Sequence, residues 1–115
     1  MRKCNSDEVR KMIAESDIVV IHLDAVWNGQ RIPIENKIQQ IVETNPLDVQ
    51  FAYVDSDEEQ EFARSMELKN VPTVAYFRRG KLIATVIGQG QDVAGNIVKV
   101  RDGALIDTSN RLSRS

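Results

Sequence analysis

The run Ile18-Val19-Val20-Ile21-His22-Leu23 constrains this chain more than any other segment. It is apolar on both faces and its first four residues are β-branched, so it does not alternate core side chains with solvated ones. Such a segment is expected to be a central strand covered on each side. It is also the longest apolar run, far too short to cross a bilayer. A chain of 115 residues suits one compact domain that buries roughly two thirds of its unfolded surface.

The segments around this strand follow a βαβ order. Ser6 is expected to cap a helix carrying Val9, Met12 and Ile13 on one face and ending near Ser16. Beyond Trp27, Ile34, Ile38, Ile41 and Val42 repeat with helical period, and Asn45-Pro46 is expected to stop that helix. Val49 to Val54 reads as a second strand, and Glu58 to Met66 as a helix with Phe62, Ala63 and Met66 facing inward. Strand, helix, strand, helix predicts a parallel core. Thr73 to Phe77 and Leu82 to Ile87 flank Arg78-Arg79-Gly80-Lys81, which suits a tight antiparallel hairpin. A closing helix is expected from Asp92 to about Asp102, with Val93, Ile97 and Val100 on one stripe, Gly95 weakening it and Gly103 ending it. The expected fold is therefore α/β, a mixed sheet with a parallel half and an antiparallel hairpin, flanked by helices on both faces. Residues 1–103 would form the domain, and the polar segment 104–115 a mobile C-terminal tail.

This order of elements resembles the thioredoxin family over roughly residues 5 to 102. Trp27 and Gly29 occupy the places of the tryptophan and glycine in the family's W-C-G-P-C turn, and Val71-Pro72-Thr73 matches its cis-proline step. Val54-Asp55-Ser56-Asp57 is similar to the strand end before the third family helix, and Gly80 and Gly88 fall where the family has its hairpin and groove glycines. The chemistry does not follow the fold. Asn28 stands where the nucleophilic cysteine belongs, Gln30 replaces the turn proline, and Arg31 replaces the resolving cysteine. Attack on a disulfide needs a thiolate, and release needs a second thiol; amide and guanidinium groups supply neither. Dithiol oxidoreductase activity is therefore not expected. Asn28 suits a helix cap, and Pro33 disfavours helical geometry at Ile32, so the helix is expected to start late.

The remaining chemistry-bearing residues read mostly as structural. His22 falls where the resemblance places a buried acid, and a core histidine bonded to Asp24, two residues along on the same strand face, is preferred over proton transfer. A hydrolytic dyad from His22 and Asp24 would need a nucleophile, for which only Thr73 is close. The resemblance implies that Cys4 lies near the first short strand, away from the helix N-terminus that would lower its pKa, so an ordinary or half-buried thiol is preferred over a reactive one. One cysteine and one histidine do not make a zinc site within a monomer. Asp55, Asp57, Glu59 and Glu61 alternate as in a calcium loop, but Gln60 and Met66 stand where glycine and glutamate are required. Gly88-Gln89-Gly90 lacks the later glycine or lysine of a phosphate loop. Arg78, Arg79 and Lys81 on a hairpin tip, without an aromatic platform, read as a solvated edge. No cofactor or metal is expected.

What the resemblance leaves is recognition. It implies a groove at Val71, Pro72 and Thr73, bordered by Trp27 and by Ile87-Gly88, where the backbone of Val71 could pair with an extended partner segment. A chaperone or scaffold that binds another protein is the leading expectation, with Arg31 favouring an acidic partner. The alternatives are a one-thiol redox protein acting through Cys4 and a small-anion site at Asn28 to Arg31. A formal charge of -2 gives no reason to expect nucleic acid or anionic membrane as partner. The polar start Met1-Arg2-Lys3-Cys4-Asn5-Ser6-Asp7-Glu8 lacks the pattern of a secretory signal, and a cytoplasmic location is expected.

Overall fold

The computed structural model describes residues 1–29, 31–44, 49–68 and 70–106. Gln30, the stop at Asn45-Pro46 and the tail from 107 lie outside the described residues. In chain order the elements are β1 (Arg2–Lys3), α1 (Ser6–Glu15), β2 (Ile18–Asp24), α2 (Arg31–Thr44), β3 (Val49–Asp55), α3 (Gln60–Ser65), β4 (Thr73–Arg78), β5 (Lys81–Ile87) and α4 (Val93–Asp102). The sheet order is β1-β3-β2-β4-β5. β1, β3 and β2 run parallel, while β4 pairs antiparallel with both β2 and β5.

β2 sits in the middle, and all of its residues are buried. Because successive strand side chains point to opposite faces, it feeds two cores. Ile18 and Val20 pack with Ile34 and Ile38 of α2 and with Val93, Ile97 and Val100 of α4. Val19, Ile21 and Leu23 pack with Val9 of α1 and Phe62 of α3. Each fully buried aliphatic side chain contributes about 1.5–3 kcal/mol relative to exposure, which is why this strand accepts almost nothing polar. Its exceptions are His22 and Asp24, both fully buried.

Three local expectations are corrected. The cap of α1 is Asn5, not Ser6: the Glu8 N–H donates to the Asn5 side chain at 2.9 Å and the Asn5 N–H to Glu8 Oε1 at 2.9 Å, a reciprocal capping box. Ser6 instead donates from its N–H and hydroxyl to Glu59 Oε1, at 2.9 and 2.7 Å, tying α1 to the start of α3. α3 is shorter than its periodicity predicts, because the Asp55 carboxylate takes the N–H groups of Asp57 and Glu58 at 2.8 and 3.2 Å and holds them in a turn ahead of the helix. α2 begins at Arg31, so Ile32 is helical and Pro33 lies in the first turn, where its missing N–H would have no intrahelical partner.

The hairpin follows expectation, with Arg79 at φ 51° and Gly80 at φ 84°, both in the left-handed region of a two-residue turn. Its tip is not a freely solvated edge. The Arg79 N–H donates to the Asp17 carbonyl at 2.7 Å and Nε to its carboxylate at 3.2 Å. Arg78 donates from Nη1 to the carbonyls of Val100 and Arg101, satisfying the C-terminal end of α4. No helix among the described residues is long and apolar enough to cross a membrane.

Candidate functional site

The candidate site starts where β2 ends. His22 and Asp24 lie on the same strand face, and Nε2 of His22 approaches Asp24 Oδ2 at 2.7 Å. The other carboxylate oxygen accepts from the Ala25 N–H at 2.8 Å and from the Asn28 side-chain amide at 2.9 Å. The Asp24 carbonyl accepts from both the N–H and the hydroxyl of Ser56, at 2.8 and 3.1 Å. Asp24 is thus a hub that joins β2, the turn and the end of β3. Burial alone would raise its pKa, but the bonds from His22, Asn28 and Ala25 outweigh it and hold the carboxyl below the usual carboxylate range. His22 Nδ1 is buried with no hydrogen-bond partner among the described residues, and the ring meets Tyr53 edge-on, centroids 5.4 Å apart. Burial, and then the charges of Asp55 and Asp24, push the Tyr53 hydroxyl up to about 12.

Asn28 does not occupy the cap position directly before α2. It lies three residues ahead of the helix, donates its side-chain amide to Asp24, and offers its carbonyl to the Arg31 N–H at 3.2 Å and to Arg31 Nη1 at 3.1 Å. Arg31 also faces Glu35 at 3.6 Å. Its charge is answered within the chain, which weakens the expectation that it selects an acidic partner. Trp27 is 68% exposed, so it does not pack over the sheet edge; its indole N–H donates to Asp57 Oδ2 at 2.8 Å.

The Val71–Pro72 peptide bond is cis. Pro72 is buried, and its carbonyl accepts from the Gly88 N–H at 2.9 Å. Gly88 has φ 115°, a conformation that L side chains rarely adopt. Trp27, Asn28 and Val71 come together with Leu68 and Asn70 around a depression of about 360 Å³. Thr73 and the exposed Ile87 line the next depression, reached past Leu68. The Thr73 hydroxyl donates to the Asn70 carbonyl at 2.6 Å and Thr73 is buried, so it is no nucleophile for a His22–Asp24 dyad.

Cys4 belongs to the core between α1, α3 and the sheet, is 2% exposed, and lines none of these depressions. Burial pushes its thiol pKa up, the opposite of what a reactive cysteine needs. Among the described residues no group of three or more His, Cys, Asp or Glu could hold a metal ion.

One set of residues escaped the sequence reading. Gln91 is buried and donates from Nε2 to the carbonyls of Val86 and Gly88, at 2.8 and 2.9 Å. Its Oε1 accepts from the Tyr76 hydroxyl at 2.7 Å, and that hydroxyl accepts from Asn96 Nδ2 at 3.1 Å. Lys37 Nζ donates to the Gln91 carbonyl at 2.7 Å. The available signal was a tyrosine set among Val74, Ala75 and Phe77 in an otherwise apolar stretch of β4, since a buried hydroxyl must find a partner.

A five-stranded mixed sheet, a tryptophan-led turn at the end of its central strand and a proline step facing it define a thioredoxin-type scaffold. Residues 1–99 match the thioredoxin family, and the chain belongs to it. Its relatives include the mitochondrial thioredoxin-3 of Saccharomyces cerevisiae, 31% identical over 84 residues, and the thioredoxin of Geodia cydonium, 30% identical over 99 residues. The match spans 73% of this chain and 65% of the yeast relative, and 86% of this chain and 91% of the sponge relative. The crystal structure of the oxidised yeast protein superposes with a TM-score of 0.76 at 27% identity, covering 89% of this chain and 94% of that one. With a single cysteine in the whole chain and Asn28, Gln30 and Arg31 in the turn, this member lacks the dithiol that thioredoxin chemistry requires.

Proposed function

We propose that this chain is a redox-inactive binding module that holds an extended segment of another protein at the groove beside Pro72. The observation that carries this reading is the backbone of Val71. Its N–H and C=O make no hydrogen bond to another described residue, and it borders a depression with exposed Trp27 at one side. An unpaired N–H and C=O on a chain segment that leads into β4 is what a guest strand needs, and it requires no sulfur. Leu68 and Val71 are partly buried apolar neighbours that a guest side chain would cover, and Trp27 offers a large face that loses little conformational freedom on binding.

The test uses a chain that is extended under all conditions, reduced and carboxymethylated α-lactalbumin, titrated against the wild type, Val71→Arg and Trp27→Ala. Binding by the wild type that falls at least about tenfold in both variants, a difference of about 1.4 kcal/mol, with unchanged thermal midpoints, supports the groove. Equal binding by Val71→Arg and wild type would move the surface elsewhere.

A further inference from the structure

We infer that the Tyr76–Gln91–Asn96 network, braced by Lys37, is the positioning device of the groove, holding the Gly88 wall against Pro72. The wall part stands on geometry alone; its effect on a partner rests on the groove reading above. Gly88 is tied from two sides. Its N–H donates to the Pro72 carbonyl at 2.9 Å, and its carbonyl accepts from Gln91 Nε2 at 2.9 Å. Gln91 in turn is fixed at three points, by Val86, by Gly88 and by the Tyr76 hydroxyl.

The network runs from α4 through the core to the groove. Asn96 projects from the first turn of α4, whose start is held by the Asp92 cap to the Gly95 N–H at 3.0 Å. Asn96 reaches Tyr76, which is fully buried on β4, and Tyr76 reaches Gln91. From the other side, Lys37 on α2 donates to the carbonyls of Gln91 and Gln89, at 2.7 and 3.4 Å. Three buried polar side chains satisfy one another, and such networks specify one arrangement because an alternative would leave a partner unpaired in a low dielectric. The segment they hold, 88–91, has no strand or helix hydrogen bonds of its own to do so. Two helices and the sheet therefore fix the Gly88 backbone against the Pro72 carbonyl, next to the Val71 that would pair with a guest strand.

Tyr76→Phe removes one oxygen and leaves Gln91 Oε1 and Asn96 Nδ2 without their shared partner, with the ring volume kept. An unpaired buried polar group keeps its desolvation cost with nothing to offset it. If that falls on the wall, amide exchange at Gly88 should rise about tenfold or more, while Val20 and Ile21 in β2 exchange in step with global stability. Lys37→Met, which touches the same segment from the helix surface and leaves the core alone, should raise Gly88 exchange in the same direction. Binding of carboxymethylated α-lactalbumin should weaken several-fold in both. Gly88 exchange that changes only as much as β2 exchange overturns the inference, whatever the binding result. Raised Gly88 exchange with probe affinity equal to wild type, while Val71→Arg abolishes binding, also overturns the positioning role and leaves the groove reading intact. Raised Gly88 exchange in both variants, together with a wild type that binds no probe, supports the wall and sinks the groove reading instead.

Discussion

Asp24 carries the sharpest prediction. Replacing it with asparagine keeps the shape and keeps one oxygen that can accept from Ala25 and Asn28, the partners now at 2.8 and 2.9 Å. The second oxygen becomes an NH2 group pointed at His22 Nε2, 2.7 Å away. With a carboxylate opposite, the imidazole proton belongs on Nε2; with an amide donor opposite, it must move to Nδ1. That nitrogen is buried with no partner among the described residues. The substitution therefore leaves one buried donor unpaired, about 1–3 kcal/mol, and removes charge assistance from two further bonds, roughly 1 kcal/mol each. The sum is about 3–5 kcal/mol, the range for breaking a buried pair. Urea unfolding at pH 7, followed by circular dichroism, measures it. Combining Asp24→Asn with His22→Leu should recover about 1.5–3 kcal/mol relative to the sum of the single variants, because the leucine has no proton to misplace.

The pH dependence has a definite sign. The folded pKa of Asp24 is depressed below its unfolded value of about 3.9, so the unfolded chain binds the proton more readily. The stabilisation is complete above that unfolded value and is lost as the pH falls through the folded one. The gap between wild type and Asp24→Asn should hold at pH 7 and narrow below about pH 4. A variant within about 0.5 kcal/mol of wild type at pH 7, well under the unpaired-donor range, would refute the hub. So would a coupling energy near zero.

Three further outcomes follow from named contacts. Gly95→Ala should change stability by less than about 0.5 kcal/mol despite the helix propensity it adds, because a Cβ there would collide with the capping carboxylate of Asp92; in an Asp92→Ala background the same change should stabilise by about 1 kcal/mol, both read by urea unfolding. Cys4 should react with iodoacetamide more than about tenfold more slowly in the native chain than in urea, since it is buried and its thiol pKa is raised by burial; equal rates would contradict the core placement. Asp57→Ala removes the acceptor of the Trp27 indole and should shift the emission of this lone tryptophan while costing less than about 1 kcal/mol, the pair being at the surface.

How much of this was legible in the chain depends on the range of the interaction. β2 could be read because its apolar character on two faces is a property of six adjacent residues, and the four helices because each buries a periodic stripe. The α1 cap was equally local, Asn5-x-x-Glu8, and was hidden only by the neighbouring Ser6, which prefers a partner 53 positions away. α3 lost its first turn to Asp55, whose carboxylate competes locally for the N–H groups a helix start would leave open. Tyr76 and Gln91 could not be paired from sequence, since they meet only after β4 takes its register against β5 and α4 closes over it. The turn shows the same limit more sharply. The pairing of His22 with Asp24 could be read from their two-residue spacing, but Asn28 read as a helix cap, and only the fold brings it to the same carboxylate of Asp24. The two changes, at His22 and at Asn28, are therefore one change. A turn without thiols is anchored through the end of its strand, and Asn28→Cys alone would withdraw a donor from a buried anion before it supplied any sulfur chemistry.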